Sequence, residues 1–380
     1  MATSTTQNHN GITVEVSQPL SSLGGIDTQL AAMVGTAPNK SADIEFNEPV
    51  KLYTLTDLAK IDTTEDPQGS LYYNLRYHFE QGKTPVYVVV VPEGADTAAT
   101  VTNIVGGVAP ATGQRTGLMA LAGCKEAPTN ICVPGFSHVS IVNQLASVCN
   151  ELLAEGWTDA PDTNTEAAKT YAEGFGAEQS KVWCVDVHGE RWGHAISPAA
   201  IGMAARCAVK PWNTPNGASV NLDDIARVVT YRVNDKGCEA VDLNKKGVSL
   251  PVPDPNGGLM FLGTRTLSGA FGNVVGVENQ IIRAVVKSHR ETMKYNLDMD
   301  FFEMRIAQIS NWFATLRADG AVINGKVYLH PERNTLDRYK SGEWVLVIDW
   351  GAYRPNEHCI VELNQDDGIV QTFVETAIQG

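Results

Sequence analysis

The chain has 380 residues, 43% hydrophobic and 19% charged, enough to bury a large core and to divide into two or more domains. With 43 acidic against 29 basic residues the formal charge is −14 and Lys and Arg form no run, which argues against nucleic acid as a partner. No apolar stretch approaches a membrane span and residues 1–10 lack a signal-peptide core, so a protein made and folded in a cytoplasm is expected.

After a polar leader, Gly11-Ile-Thr-Val-Glu-Val16 reads as a short alternating strand on a loose tether, Ser17 to Gly25. Leu30 to Ala37 reads as a buried strand, Leu71 to Phe79 as a helix, and Thr84-Pro-Val-Tyr-Val-Val-Val-Val91 as a strand buried on both faces. A helix is expected over Gln114 to Ala122, a strand at Asn130 to Gly135 and a helix over Ser140 to Glu155. A helix over Glu166 to Phe175 precedes a buried strand, Lys181 to Val187. Repeated strand-then-helix passes predict an α/β fold with a mostly parallel sheet covered on both faces. Ser197-Pro198 opens a small-residue helix through Ala208.

Residues 211–256 are dense in turn formers, among them Pro251-Val-Pro-Asp-Pro-Asn-Gly-Gly258, and supply the candidate domain boundary. Helices are expected over Val277 to Tyr295 and Asp300 to Arg317. Three β segments then close the chain: Glu343 to Trp350, His358 to Leu363 and Gly368 to Thr376. A strand so near the end frays unless something pairs with it.

Seven cysteines, none in a C-x-x-C pair and most beside apolar residues, read as reduced structural thiols. No phosphate-cradling glycine loop occurs, so no nucleotide cofactor is expected. Asp186, His188 and His194 are too sparse for a zinc set. An α/β hydrolase-like enzyme remains the competing reading, with Ser197 and His188 as triad candidates, but no G-x-S-x-G elbow is present and Ala200-Ile-Gly-Met-Ala204 lacks a nucleophile serine. Cys132 or Cys149 with His138 is a thiol version, weakened by apolar surroundings. A plain globular binding module is the third class.

The stretches Gly263-Thr-Arg-Thr-Leu-Ser268, Gly320-Ala-Val-Ile-Asn-Gly-Lys-Val-Tyr328, Glu343 to Glu357 and Asn10-Gly-Ile-Thr-Val14 together resemble the contractile tail sheath proteins of myophages and R-type tailocins. Gly106-Gly-Val108 through Arg115-Thr-Gly-Leu118, and Pro134-Gly-Phe-Ser-His138, extend the match across the chain. It departs around Gly156 to Pro161, where an apolar strand is expected and Trp157-Thr-Asp-Ala stands instead.

The resemblance implies a structural protein without cofactor or catalysis. Its parts would be an N-terminal arm (1–20), a subtilisin-like, non-catalytic outer α/β domain (21–255), an α+β inner domain (256–365) and a C-terminal arm (366–380). It implies hexameric rings stacked helically around an inner tail tube, with baseplate and terminator partners, in a virion tail assembled in a host cytoplasm. Contraction would drive the tube through a cell envelope. In that setting Ile12, Thr13, Val14, Glu15 and Val16 of one copy and Ile369, Val370, Gln371, Thr372, Phe373 and Val374 of another are expected to add as strands. The acceptors would be Trp344, Val345, Leu346, Val347, Ile348, Cys359, Ile360 and Val361 of a third copy. The nine residues from Ser17 to Gly25 reach roughly 30 Å when extended, enough to cross between copies. Arg305, Gln308, Trp312 and Thr315 are the expected tube-facing side of the helix over 300–317, opposite an apolar face of Phe302, Ile306, Ile309, Phe313 and Leu316. Arg265, with five donors, is expected to anchor the inner domain.

Overall fold

The computed structural model describes residues 23–379; the N-terminal strand expected at Ile12 to Val16 lies outside them. Strand-then-helix passes open the described chain: β1 (Ala31–Thr36), β2 (Val50–Leu52), α1 (Tyr72–Gln81), β3 (Val86–Val91), α2 (Thr97–Val105), β4 (Asn130–Cys132), α3 (Val139–Leu152), β5 (Glu155–Asp159), α4 (Thr165–Glu173) and β6 (Val182–Val185). Next come β7 (Gly189–Arg191), β8 (His194–Ile196), α5 (Pro198–Cys207), β9 (Ser219–Val220), β10 (Asp224–Ile225), α6 (Glu239–Lys245), β11 (Val248–Pro253) and β12 (Leu259–Leu262).

The main sheet has the order β2-β3-β1-β4-β5-β6-β11-β12-β9. From β3 to β11 its strands run parallel, while β2, β12 and β9 pair antiparallel at the edges. Successive residues alternate between two cores. Ala32, Val34, Val89 and Ile131 face α2, α3, α4 and α6; Met33, Val88, Val90 and Cys132 face α1 and α5. Burial on both faces is why β3 reads as an unbroken apolar run. Each of the valine, isoleucine and methionine side chains among them contributes about 1.5–3 kcal/mol on leaving water.

The sequence departure at Gly156 to Pro161 proves to be β5, a central strand made of Glu155-Gly-Trp-Thr-Asp159 and wholly buried. Its polar groups are matched inside: Trp157 stacks on Trp183 with ring centroids 4.8 Å apart, and Glu155 pairs with Arg206 of α5 at 2.8 Å. The helix expected over Gln114 to Ala122 is a 3₁₀ turn, Gly117–Gly123, preceded by a bridge between Val108 and Arg115. The expected boundary at residues 255 and 256 falls inside the β11–β12 hairpin, which carries the chain within one sheet.

Beyond it lie α7 (Gly272–Thr292), α8 (Met299–Ala318), β13 (Asn324–Leu329), α9 (Leu336–Lys340), β14 (Leu346–Gly351) and α10 (Asp367–Gln379). A third core unites Val277 and Ile281 of α7, Ile309 and Phe313 of α8, and Val327 of β13 with Leu23 and Ile26 from the start of the described chain. Helix α7 joins this core to the sheet. Gly272 lies against Trp183, Gly276 against the Arg206–Glu155 pair, and the Arg283 guanidinium donates to the carbonyls of Ala127, Pro128, Leu152 and Leu153 where α3 ends.

Two of the three closing strands are corrected. His358 to Leu363 forms no strand, and Gly368 to Thr376 lies within α10. A strand needs a neighbour to satisfy its backbone, whereas a helix satisfies its own. With nothing paired alongside, Asp366 caps Gly368 at 2.8 Å and the segment coils.

Candidate assembly surface

Strands β13 and β14 form a two-stranded antiparallel sheet, Val327 opposite Ile348, with one side laid on α8. Gly325 makes this contact possible, since a Cβ there would stand 2.2 Å from Phe313. Of the expected acceptors, Leu346, Val347 and Ile348 lie on β14. Val345 precedes it and is bonded through its carbonyl to His330 and through its amide to Asn334, while Trp344 packs on Phe301 and Phe302. Cys359, Ile360 and Val361 stand on no strand, so the structure does not bring them to this sheet. The far edge of β14 has no ladder partner among the described residues.

The chain after β14 leaves the body. Residues 356–378 are all exposed, Leu363 at 93% and Phe373 at 72%. Its departure point is fixed by Arg265. The guanidinium donates from Nε to Glu357 Oε1 at 3.0 Å, from Nη2 to Oε2 at 2.7 Å and from Nη1 to the Gly269 carbonyl at 2.9 Å, and it covers the Phe271 ring at 4.0 Å. Thr264 donates to the same carboxylate. Partial burial alone would raise the Glu357 carboxyl; the Arg265 and Thr264 hydrogen bonds outweigh it and hold the group below its ordinary range. Sequence reading named Arg265 but missed Glu357, whose only signal is its opposite charge 92 positions away.

The depressed acid fixes the sign of the pH effect: this clasp contributes above the ordinary glutamate pKa and is lost as pH falls through the lowered one. Arg265→Ala should therefore speed protease cleavage after residue 357 at neutral pH, and acidification should bring the unaltered chain to the same rate. The pair is about one third exposed, so global stability should change by no more than about 1 kcal/mol.

Helix α8 corrects the expected tube face. Arg305, Gln308 and Trp312 point inward: Arg305 donates to Ser288 Oγ of α7 at 2.8 Å and to Gln308, and Trp312 Nε1 donates to the Gly24 carbonyl at 3.2 Å. Phe301, Ile309, Phe313 and Leu316 share that buried side, with Phe302 and Ile306 at its margin. Internal partners let polar side chains occupy core positions, shifting the face from where apolarity alone places it. Thr315 is exposed as expected, beside Glu303, Ala307, Asn311 and Ala314.

The triad candidates assemble no nucleophile. Ser197 Oγ donates to Asp159 Oδ1 at 2.7 Å, whereas His188 Nδ1 is bonded to Asp162 at 2.7 Å. Asp159 also accepts from the amides of Ala199 and Gly135, so it fastens the start of α5 to the ends of β4 and β5. Burial pushes the Cys132 and Cys149 thiols well up, which removes the thiolate a cysteine nucleophile needs. Among the described residues no group of three or more His, Cys, Asp or Glu could hold a metal, and no helix is long and apolar enough to cross a membrane.

No protein-family model matches the chain. It is 24% identical over 394 residues to the tail sheath protein of Escherichia phage P2, spanning 96% of this chain and 98% of that protein. To a prophage major tail sheath protein of Pseudomonas aeruginosa it is 24% identical over 326 residues, 80% of this chain and 82% of the relative. Among solved structures, the sheath of the extracellular contractile injection system PVC in its contracted state superposes with a TM-score of 0.72 at 16% identity, over 96% of this chain and all of that one. The contracted helical sheath of the anti-feeding prophage gives 0.70 at 17%, over 95% of this chain and all of that one. At such identities the structures speak for the fold, and the sequence relatives carry the kinship. The chain is similar to tail sheath proteins along nearly its whole length, and the role these relatives support is structural, not enzymatic.

Proposed function

We propose that the protein polymerises as stacked hexameric rings around an inner tail tube, and that its C-terminal tail links each copy to a neighbour. The observation that carries this is the tail itself: from Ile360 to Ile378 it exposes a series of large apolar side chains to solvent, a state a soluble monomer avoids and a polymer buries. Six-residue β14, with its open edge, is the acceptor. Each pairing is weak alone, but repetition around and between rings makes the links act at high effective concentration. Residues 12–16 would add a second link from the other end.

The main sheet, covered by helices on both faces, is the outer domain, and a catalytically empty subtilisin-like layer is the reading its form supports. The exposed side of α8, with Thr315, Glu303, Ala307 and Asn311, is the tube-facing surface; it is small and polar, suited to a grip released on contraction. Baseplate and terminator proteins would bound the polymer in a virion tail assembled in the host cytoplasm.

Electron micrographs decide the matter. Purified full chain should form tubes or stacked rings, and a chain lacking residues 366–380 should not. A full chain that stays monomeric and labels with a serine-directed probe would restore the hydrolase. Long tubes from the shortened chain would remove the tail's linking role.

A further inference from the structure

We infer that the C-terminal tail is a conformational switch, helical as α10 in the free subunit and extended when it docks beside β14 of a second copy. The inference rests on the tail linkage proposed above and adds what regulates it. The segment carries two patterns at once. Coiled, it gathers Ile369, Val370, Phe373 and Val374 on one side; extended, it sets Val370, Thr372, Val374, Thr376 and Ile378 on a single β-branched face. Six of the 13 helical residues are β-branched, a composition that disfavours helix and favours strand.

Little holds the helix. Its side-chain bonds are local: Gln371 to Glu375 at 2.8 Å, and the Thr372 and Thr376 hydroxyls to carbonyls one turn back. A lone helix of this length, with no body to pack on, is marginal. The edge of β14 presents the complementary need. Leu346, Ile348 and Trp350 on its inner side are only half-buried, whereas β13, lying on α8, has Val327 sealed. A third strand along β14 would cover those three with its own β-branched face and supply the missing ladder.

The occupant is another copy: the chain's own tail, clasped at Glu357 by Arg265, leaves its own edge open. Coiling meanwhile satisfies the tail's backbone donors and acceptors, which blunts strand pairing before a ring is in place.

Spin labels at Gln371→Cys and Glu375→Cys, in a full chain carrying Cys124→Ser and Cys359→Ser, read the switch directly. The four-residue separation is about 6 Å in a helix and about 13 Å in a strand. It should lengthen from the first to the second on polymerisation; a short separation in the polymer overturns the switch. Two label-free variants test it separately. Thr372→Ala with Thr376→Ala, favouring helix, should delay polymer onset several-fold, and Gln371→Thr with Glu375→Thr, favouring strand, should hasten it by a similar factor. Equal rates for both, in a protein whose 366–380 deletion abolishes polymers, reject the switch and leave the linkage standing. A deletion without effect rejects both.

Discussion

Replacing Glu155 with Leu should cost about 3–5 kcal/mol of unfolding free energy, read as a shift of the denaturant midpoint by tryptophan fluorescence. Glu155 is buried in β5 and its carboxylate meets three groups: Arg206 through Nε and Nη2, and the Trp183 indole N–H at 2.8 Å. The Arg206 side chain is fully buried and spends its remaining donors on the carbonyls of Lys210, Pro211 and Asn213. Removing the acid leaves a guanidinium in the interior with no counter-charge and an indole N–H with no acceptor. The expense lies in that stranded charge, so Arg206→Met added to Glu155→Leu should restore a good part of the loss. The surface Lys169–Glu166 pair supplies the contrast, since Glu166→Ala should leave the denaturant midpoint nearly unmoved. A double mutant as unstable as the single one would show that packing around β5, rather than the buried charge, sets the magnitude.

The same residue explains where sequence reading stopped. Strands β3 and β6 were legible because their interiors are apolar on both faces and their pattern is written in the strand itself. Strand β5 was not, because Glu155 and Asp159 become acceptable in the core only through Arg206, Trp183 and Ser197, which lie 28 to 51 positions away. Helix α8 was legible as a helix but rotated in its face for a related reason: Arg305 and Trp312 find their partners in Ser288 and Gly24. At the C-terminus the error ran the other way. Local composition spoke for a strand from Ile369 to Thr376, and in the single chain that segment, paired with no strand edge, coils. Arg265 was picked out from the resemblance together with its five donors, and only the fold supplies Glu357.

Gly272→Ala should be nearly as damaging, and its effect should spread differently. A Cβ at residue 272 would lie 1.6 Å from Cζ2 of Trp183, and one at Gly276 would lie 2.2 Å from the Arg206 guanidinium. Neither neighbour can retreat: Trp183 is stacked on Trp157 and bonded to Glu155, and Arg206 is held by the same carboxylate. Overpacking of this kind costs about 1–3 kcal/mol where neighbours adjust, and here the upper end is expected. Gly123→Ala is the control, its nearest atom 3.8 Å away on Pro49, and should be close to neutral. Because the sheet core stays intact, Gly272→Ala should loosen the seat of α7 rather than the sheet. Amide exchange in α7 and α8 should quicken while β3 and β6 keep their protection. Arg283 fastens α7 a second time, through the carbonyls of Ala127, Pro128, Leu152 and Leu153, so the loosened helix should stay attached at that point. Uniformly faster exchange across the sheet as well would mean that the two cores unfold as one unit.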